Sequence, residues 1–292
     1  MIWVKQLRVH QWVKNLLLFV PAVTSFRILD QRLWPALALA FVAFSFVASS
    51  IYIFNDLVDA PNDRNHPTKK NRPIASGRIS TRAGLIVGIV LLLVGLVVGF
   101  EAGTNFLLTL LAYLAVTFAY TFWLKRLVIV DCLTLAVLYT VRVVAGGVAT
   151  NIELSFWLLA FSIFFFASLA WVKRYAELET SRAKGIEPVA GRGYQVTDQP
   201  LVLAFGAMSA FIAVLIFALY LNSDAIRVLY EVPQIGWLAI PLIMYLIARI
   251  WFKAHRGLMN EDPILFLIRD LPSLVTIALV GASLVLAHIG WN

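Results

Sequence analysis

Between Trp12 and Ile289 the chain is a succession of apolar runs, each 18 residues or longer and nearly free of charge. A run of that length is a candidate to cross a bilayer as a helix, because only there do its backbone hydrogen bonds close within the segment. The runs fall at about 12–29, 34–54, 83–100, 105–124, 127–149, 154–172, 200–221, 235–252 and 271–289. They predict an all-α, polytopic membrane protein with nine transmembrane helices. The first, fifth and eighth are the weakest: Lys14 and Asn15 interrupt the first, Asp131 and Arg142 lie within the fifth, and Arg249 closes the eighth. With 61% hydrophobic and 14% charged residues, against roughly 25% charged in soluble domains, a soluble enzyme is excluded. No cleavable signal peptide is expected, since the run after Lys14 reaches Pro21 without a small-residue cleavage pattern. The single Cys132 rules out an internal disulfide.

Charge sets the expected orientation. If the amino terminus lies in the cytoplasm, twenty of the 24 Lys and Arg residues flank or occupy cytoplasmic segments. The opposite side holds only Arg27, Arg32 and Arg227, and Arg142 falls in the membrane. That asymmetry is a strong positive-inside signal, with the carboxyl terminus outside and an inner (cytoplasmic) membrane location. The net charge of +8 therefore calls for no nucleic acid; anionic headgroups and anionic substrates suffice.

Polar chemistry concentrates where the second run ends. Asn55, Asp56, Asp59 and Asp63 follow one another at steps of one, three and four residues, which puts the three aspartates on one helical face. Converging carboxylates at a membrane edge repel one another and mark a functional site. Oxygen-only ligands suit a hard cation, Mg²⁺ above all, keeping some waters and bridging to a phosphate. Arg64, Lys69, Lys70 and Arg72 follow at once and would meet a bound diphosphate. The competing reading is a solvated loop whose acids and bases pair off. A second long connection, 173–199, opens on Lys173, Arg174, Tyr175 and Glu177. Two polar caps over one bundle predict a single domain over 1–292, in pseudo-halves of about 1–126 and 127–292, with a cavity facing the cytoplasm.

These residues resemble the UbiA superfamily of intramembrane prenyltransferases, and within it the branch of decaprenyl-phosphate 5-phosphoribosyltransferases. Asn55-Asp56 through Asp63 carries the superfamily likeness. The branch likeness rests on Gln11-Trp12-Val13-Lys14-Asn15, His66-Pro67-Thr68-Lys69, Arg72-Pro73-Ile74-Ala75, Ala145-Gly146-Gly147 and Lys173-Arg174-Tyr175-Ala176-Glu177-Leu178, with Glu261-Asp262 and Arg269-Asp270. The resemblance implies Mg²⁺ (Mn²⁺ as a substitute), 5-phosphoribosyl diphosphate as donor and a polyprenyl phosphate as acceptor. Asn55, Asp56, Asp59 and Asp63 would hold the metal. Thr68, Lys69, Arg72, Asp131 and Arg142 would bind the donor, Asp131 through a ribose hydroxyl. Lys14, Lys173, Arg174 and Tyr175 would meet the acceptor phosphate, with Glu177 and Asp270 contributing to the site. It leaves room for a homo-oligomer and for a partner phosphatase acting on the product.

One departure weighs on the acceptor. Relatives that prenylate aromatic rings carry a second aspartate-rich motif where this chain has Lys173-Arg174-Tyr175-Ala176-Glu177-Leu178-Glu179. Cations there suit an anionic acceptor, although helix ends at the inner face also carry Lys and Arg as plain flanks. Arg142 stands as readily for a structural bond to a buried carbonyl as for a substrate role, and Gly146-Gly147 reads as close helix packing. The alternatives are a prenyltransferase acting on an aromatic acceptor and a non-enzymatic transporter, the latter disfavoured because the acids gather at one face.

Overall fold

The computed structural model describes residues 2–64, 69–185, 192–259 and 262–290. Among them every regular element is helical. Eight long helices carry the fold: α1 Trp34–Asp63, α2 Thr81–Glu101, α3 Thr104–Phe122, α4 Val130–Thr150, α5 Phe156–Lys184, α6 Gln199–Leu221, α7 Ala239–His255 and α8 Leu271–Ile289. All eight, α7 together with the short turn Pro233–Gly236 before it, are long and apolar enough to cross a membrane. The chain is a polytopic membrane protein.

The expected first span, 12–29, takes another form. Val9–Phe19 winds as a 3₁₀ helix and Val20–Thr24 as one short α turn. Polar residues within it bond sideways to α1: Trp12 Nε1 donates to Ser49 Oγ at 3.0 Å and Asn15 Nδ2 to Ser45 Oγ at 3.0 Å. A 3₁₀ helix rises ~2.0 Å per residue and an α-helix ~1.5 Å, so the segment still reaches roughly 30 Å, the thickness of a hydrocarbon core. Eight continuous apolar helices and one 3₁₀ segment thus stand where nine similar helices were expected.

The chain forms two compact units. One comprises Met1–Thr121 with Val141–Glu153, the other Phe122–Thr140 with Leu154–Asn292, so α4 contributes a half to each. In the first unit α1 packs along α2. The contact is close because α2 turns glycines toward it: a Cβ at Gly95 would lie 2.9 Å from Val47 Cγ2 and 3.2 Å from the Ala43 carbonyl oxygen. Small residues of this kind let membrane helices approach, and Ser50 Oγ donates to the Gly88 carbonyl at 2.8 Å across the same seam. Gly146 serves the same end, since a Cβ there would overlap the Leu18 carbonyl. That is the helix packing read from the sequence.

The α1–α2 connection is pinned by its own apolar residues. Ile74 and Ile79 bury against Ile53 and Ala60 of α1. Backbone bonds Ser76 N to Arg72 O and Ile79 N to Pro73 O fix the turn between them. Arg72 is held next to that anchor.

In the second unit α5 packs along α6, and α7 along α8. Asp270 starts α8, accepting from Ser273 N at 3.1 Å and Ser273 Oγ at 2.7 Å, while Arg249 of α7 grips both of its oxygens at 2.7 and 2.8 Å.

Candidate functional site

Asp56 is the most heavily engaged residue of the acidic motif. It is 3% exposed, and its Oδ1 accepts from Arg8 Nη2 at 2.7 Å and from Arg72 Nη1 at 3.1 Å. Its Oδ2 accepts from Gln6 Nε2 at 2.9 Å. The same Arg72 Nη1 reaches Asp63 Oδ2 at 2.7 Å. One guanidinium nitrogen therefore stands between two carboxylates two helical turns apart, balancing charges that would otherwise repel. Arg8 arrives with left-handed backbone, φ 51°, and lays its guanidinium 4.8 Å from the Tyr52 ring centre. The neighbouring Leu7 carbonyl accepts from Ser49 Oγ at 2.9 Å.

The expected convergence of four ligands is not what is seen. Among the described residues no three His, Cys, Asp or Glu side chains gather as a cation would require. Asp56 and Asp63 share Arg72, whereas Asn55 and Asp59 lie half-buried outside that pairing. Helical pitch is the reason: residues 56 and 63 differ by 20° about the axis, and residue 59 falls 60° off residue 56. The donor set nevertheless fits a hard cation. It is all oxygen, and Gln6 Oε1 is buried beside Asp56 without a hydrogen-bond partner among the described residues.

Other expected site residues fall in different places. Thr68 and His66 lie outside the described residues, as does Glu261, and the Lys69 side chain is not described. Lys14 is buried. Arg142, 5% exposed, donates from Nε to Asn15 Oδ1 at 3.2 Å and from Nη2 to Tyr113 OH at 2.8 Å. Those bonds favour its structural reading over the donor role.

In the second unit, Asp131 and Arg174 are corrections. Both side chains have 0% exposure and meet at 2.6 Å. Tyr194 OH donates to Asp131 Oδ1 at 2.7 Å, and Arg192 lies 3.7 Å from Asp131 Oδ2. Burial pushes the Tyr194 phenol far above its ordinary range, so it remains a donor. A carboxylate enclosed in this way does not reach a ribose, nor does the Arg174 guanidinium reach a lipid phosphate. Both belong to an internal network, which Glu177 joins through Arg174. Tyr175 is also buried, its hydroxyl 2.9 Å from His255 Nδ1. Asp270 is committed to its cap and to Arg249, whose guanidinium holds the carboxyl well below the usual carboxylate range. Lys173 is the exception: its side chain is 31% exposed, 3.8 Å from Asp262 Oδ2.

Two site residues were missed in the sequence. Gln6 and Arg8 lie 50 and 48 positions from Asp56, and no local spacing announces them. Ser45, Ser49, Tyr52 and Asp56, at steps of four, three and four, were a readable clue to a polar seam awaiting a partner.

With this geometry in view, the comparisons with known proteins place the chain. The pattern described as the UbiA prenyltransferase family matches residues 18–268. The chain belongs to that family. It is 37% identical over 287 residues to Uncharacterized protein y4nM of Sinorhizobium fredii, covering 98% of this chain and 55% of that protein. It is 34% identical to Nodulation protein NoeC of Azorhizobium caulinodans, over 95% of this chain and 90% of that one. The Decaprenyl-phosphate phosphoribosyltransferase of Mycobacterium tuberculosis is 38% identical over 188 residues, 62% of each chain. The chain thus spans little more than half of the first of these relatives. In fold it matches a UbiA homolog from Archaeoglobus fulgidus bound to GPP and Mg²⁺, with a TM-score of 0.71, 18% identity and coverage of 99% of this chain and 100% of that one.

Proposed function

We propose that the protein transfers 5-phosphoribose from 5-phosphoribosyl diphosphate to a polyprenyl phosphate, releasing diphosphate. The observation that carries this reading is the charge at the end of α5. There Glu177 and Glu179 are each paired with an arginine three residues away, Arg174 and Arg182, and Lys173 is partly exposed, 3.8 Å from Asp262 Oδ2. Basic groups gathered at this helix end, with the Lys173 ammonium partly exposed beside Asp262, suit an anionic acceptor. The likeness to the mycobacterial phosphoribosyltransferase, in its matched part, agrees.

Asp56, Asp63 and Asp59, with Asn55 and the Gln6 amide oxygen, would hold Mg²⁺, which neutralises the leaving diphosphate. Arg8 and Arg72, which here pair with Asp56 and Asp63, would meet the phosphate oxygens of a bound diphosphate. The acceptor phosphate is ionised near neutral pH, so its oxygen needs no general base. Positioning two anions against their repulsion is the main demand on the protein. A Lys at ~4 Å from a phosphate gains about 4 kcal/mol at an effective dielectric of about 20, which makes Lys173 the residue to hold the acceptor. Orientation follows the charge asymmetry: amino terminus and site cytoplasmic, in the inner membrane. A homo-oligomer and a partner phosphatase for the product complete the reading.

The decisive experiment is turnover by the purified protein with labelled phosphoribosyl diphosphate and polyprenyl phosphate, beside prenyl diphosphate with an aromatic acceptor. Phosphoribosyl transfer, abolished by chelation and restored by Mg²⁺, is expected. Lys173→Ala should raise the KM for polyprenyl phosphate at least ~10-fold and leave that for the donor within ~2-fold, since losing a charged partner of a bound phosphate costs ~2–5 kcal/mol, partly offset by the lipid's anchoring. Prenylation of the ring in its place would sink the proposal.

A further inference from the structure

The second unit has a groove apart from the candidate site. About 360 Å³ in volume, it runs beside the carboxyl-terminal half of α7 and is lined by Tyr245, Ala248, Arg249, Phe252, Lys253 and Arg256. Arg249, Lys253 and Arg256 follow at steps of four and three and so share one helical face within about 60°. Their surroundings differ. Arg249 is clasped by Asp270, and the Arg256 guanidinium lies 5.6 Å from the Phe252 ring centre. Among the described residues neither Lys253 nor Arg256 forms an ion pair with a carboxylate. The apolar part of the lining is outward-facing, with Phe252 60% and Tyr245 49% exposed.

We infer that this groove binds the headgroup of an anionic phospholipid of the surrounding leaflet, its phosphate on Lys253 and Arg256 and its acyl chains beside Tyr245 and Phe252. Three features argue for a lipid over a free phosphate. The groove lies on a membrane-spanning helix, its walls are largely apolar, and its cations gather at one end, as a molecule with a charged head and greasy tails demands. Basic grooves beside transmembrane helices bind such headgroups by charge. Cations in a last helical turn also complement the helix dipole, and the positive-inside bias adds them as flanks. Neither effect gives selectivity among lipids, so selectivity is the quantity to measure. The inference does not depend on which acceptor the enzyme uses.

The test is native mass spectrometry of the full-length protein, titrated with phosphatidylglycerol and separately with phosphatidylcholine. Wild type is expected to retain phosphatidylglycerol at least ~10-fold more tightly. The double variant Lys253→Gln, Arg256→Gln should weaken it by about 5-fold per cation removed. The charge-conserving pair Lys253→Arg, Arg256→Lys should bind as wild type, which separates lost recognition from lost folding. Unchanged phosphatidylglycerol binding in the Gln variant overturns the inference, as does equal retention of both lipids by wild type. Competitive displacement by millimolar inorganic phosphate would assign the groove to a soluble anion, and displacement by polyprenyl phosphate alone would assign it to the acceptor; either overturns it.

Discussion

Asp56 is held from three directions, by Gln6, Arg8 and Arg72, and Asp63 by the last of these. Two arginines opposite two carboxylates leave the cluster near neutrality apart from Asp59. The sequence reading had the acids facing a metal and the bases facing a phosphate; the structure instead pairs acids with bases. Both arrangements use the same residues, and they exchange if Mg²⁺ and diphosphate bind together. Arg72→Ala should therefore destabilise the metal-free protein by about 1.5–3 kcal/mol, the range for a hydrogen bond to a charged group. Mg²⁺ should then raise the melting temperature of the variant more than that of wild type, because the ion takes over the missing positive charge. Thermal unfolding in detergent with and without Mg²⁺ reads this directly. Equal Mg²⁺ responses would mean that Arg72 never gives way to the metal. The four-residue motif was legible because its spacing is local. Arg8 and Gln6 were not, because a contact spanning about 50 residues leaves no periodic trace.

At the scale of elements, the apolar runs located α1 through α8, since a segment that must satisfy its backbone within a membrane has few alternatives to a helix. The 12–29 run was less well described by its composition. Asn15 and Trp12 bond sideways to serines of α1, and hydropathy does not register such bonds. Asp270 shows the same limit: its motif suggested a site, and its surroundings make it a helix cap and clasp. Its carboxyl is held well below the usual range by Arg249 and Ser273, so its contribution to stability is full above the unfolded value, near 3.9, and is lost as pH falls through the lower folded value. Asp270→Asn keeps a capping side chain and loses the charge. Wild type should out-melt it by a constant margin from pH 8 to pH 5, and the margin should narrow progressively once the pH falls below about 4, closing only as the folded carboxyl itself takes up its proton. A margin as large at pH 2 as at pH 7 would show that the Arg249 pairing does not set the difference.

At the scale of the whole molecule, the matter to settle is how often the chain crosses. Eight helices are long enough by themselves, and the 3₁₀ segment from Val9 has the reach to make a ninth crossing. Reporters active only in the cytoplasm should work when fused after Arg78 or after Glu187 and fail when fused after Asn292. Activity at the last position would return the amino-terminal segment to one face. What the sequence determined by itself was the class: a helical membrane protein with an acidic motif at a helix end, because hydropathy, sidedness of charge and helical spacing are local properties. What the tertiary structure alone decided was the partner of each charge. Asp131 and Arg174 read as substrate ligands until their burial against each other was seen, whereas Lys173, one residue from Arg174, stays partly exposed beside Asp262. Neighbours in sequence point about 100° apart around a helix, and which direction meets protein depends on the packing of helices far apart in the chain.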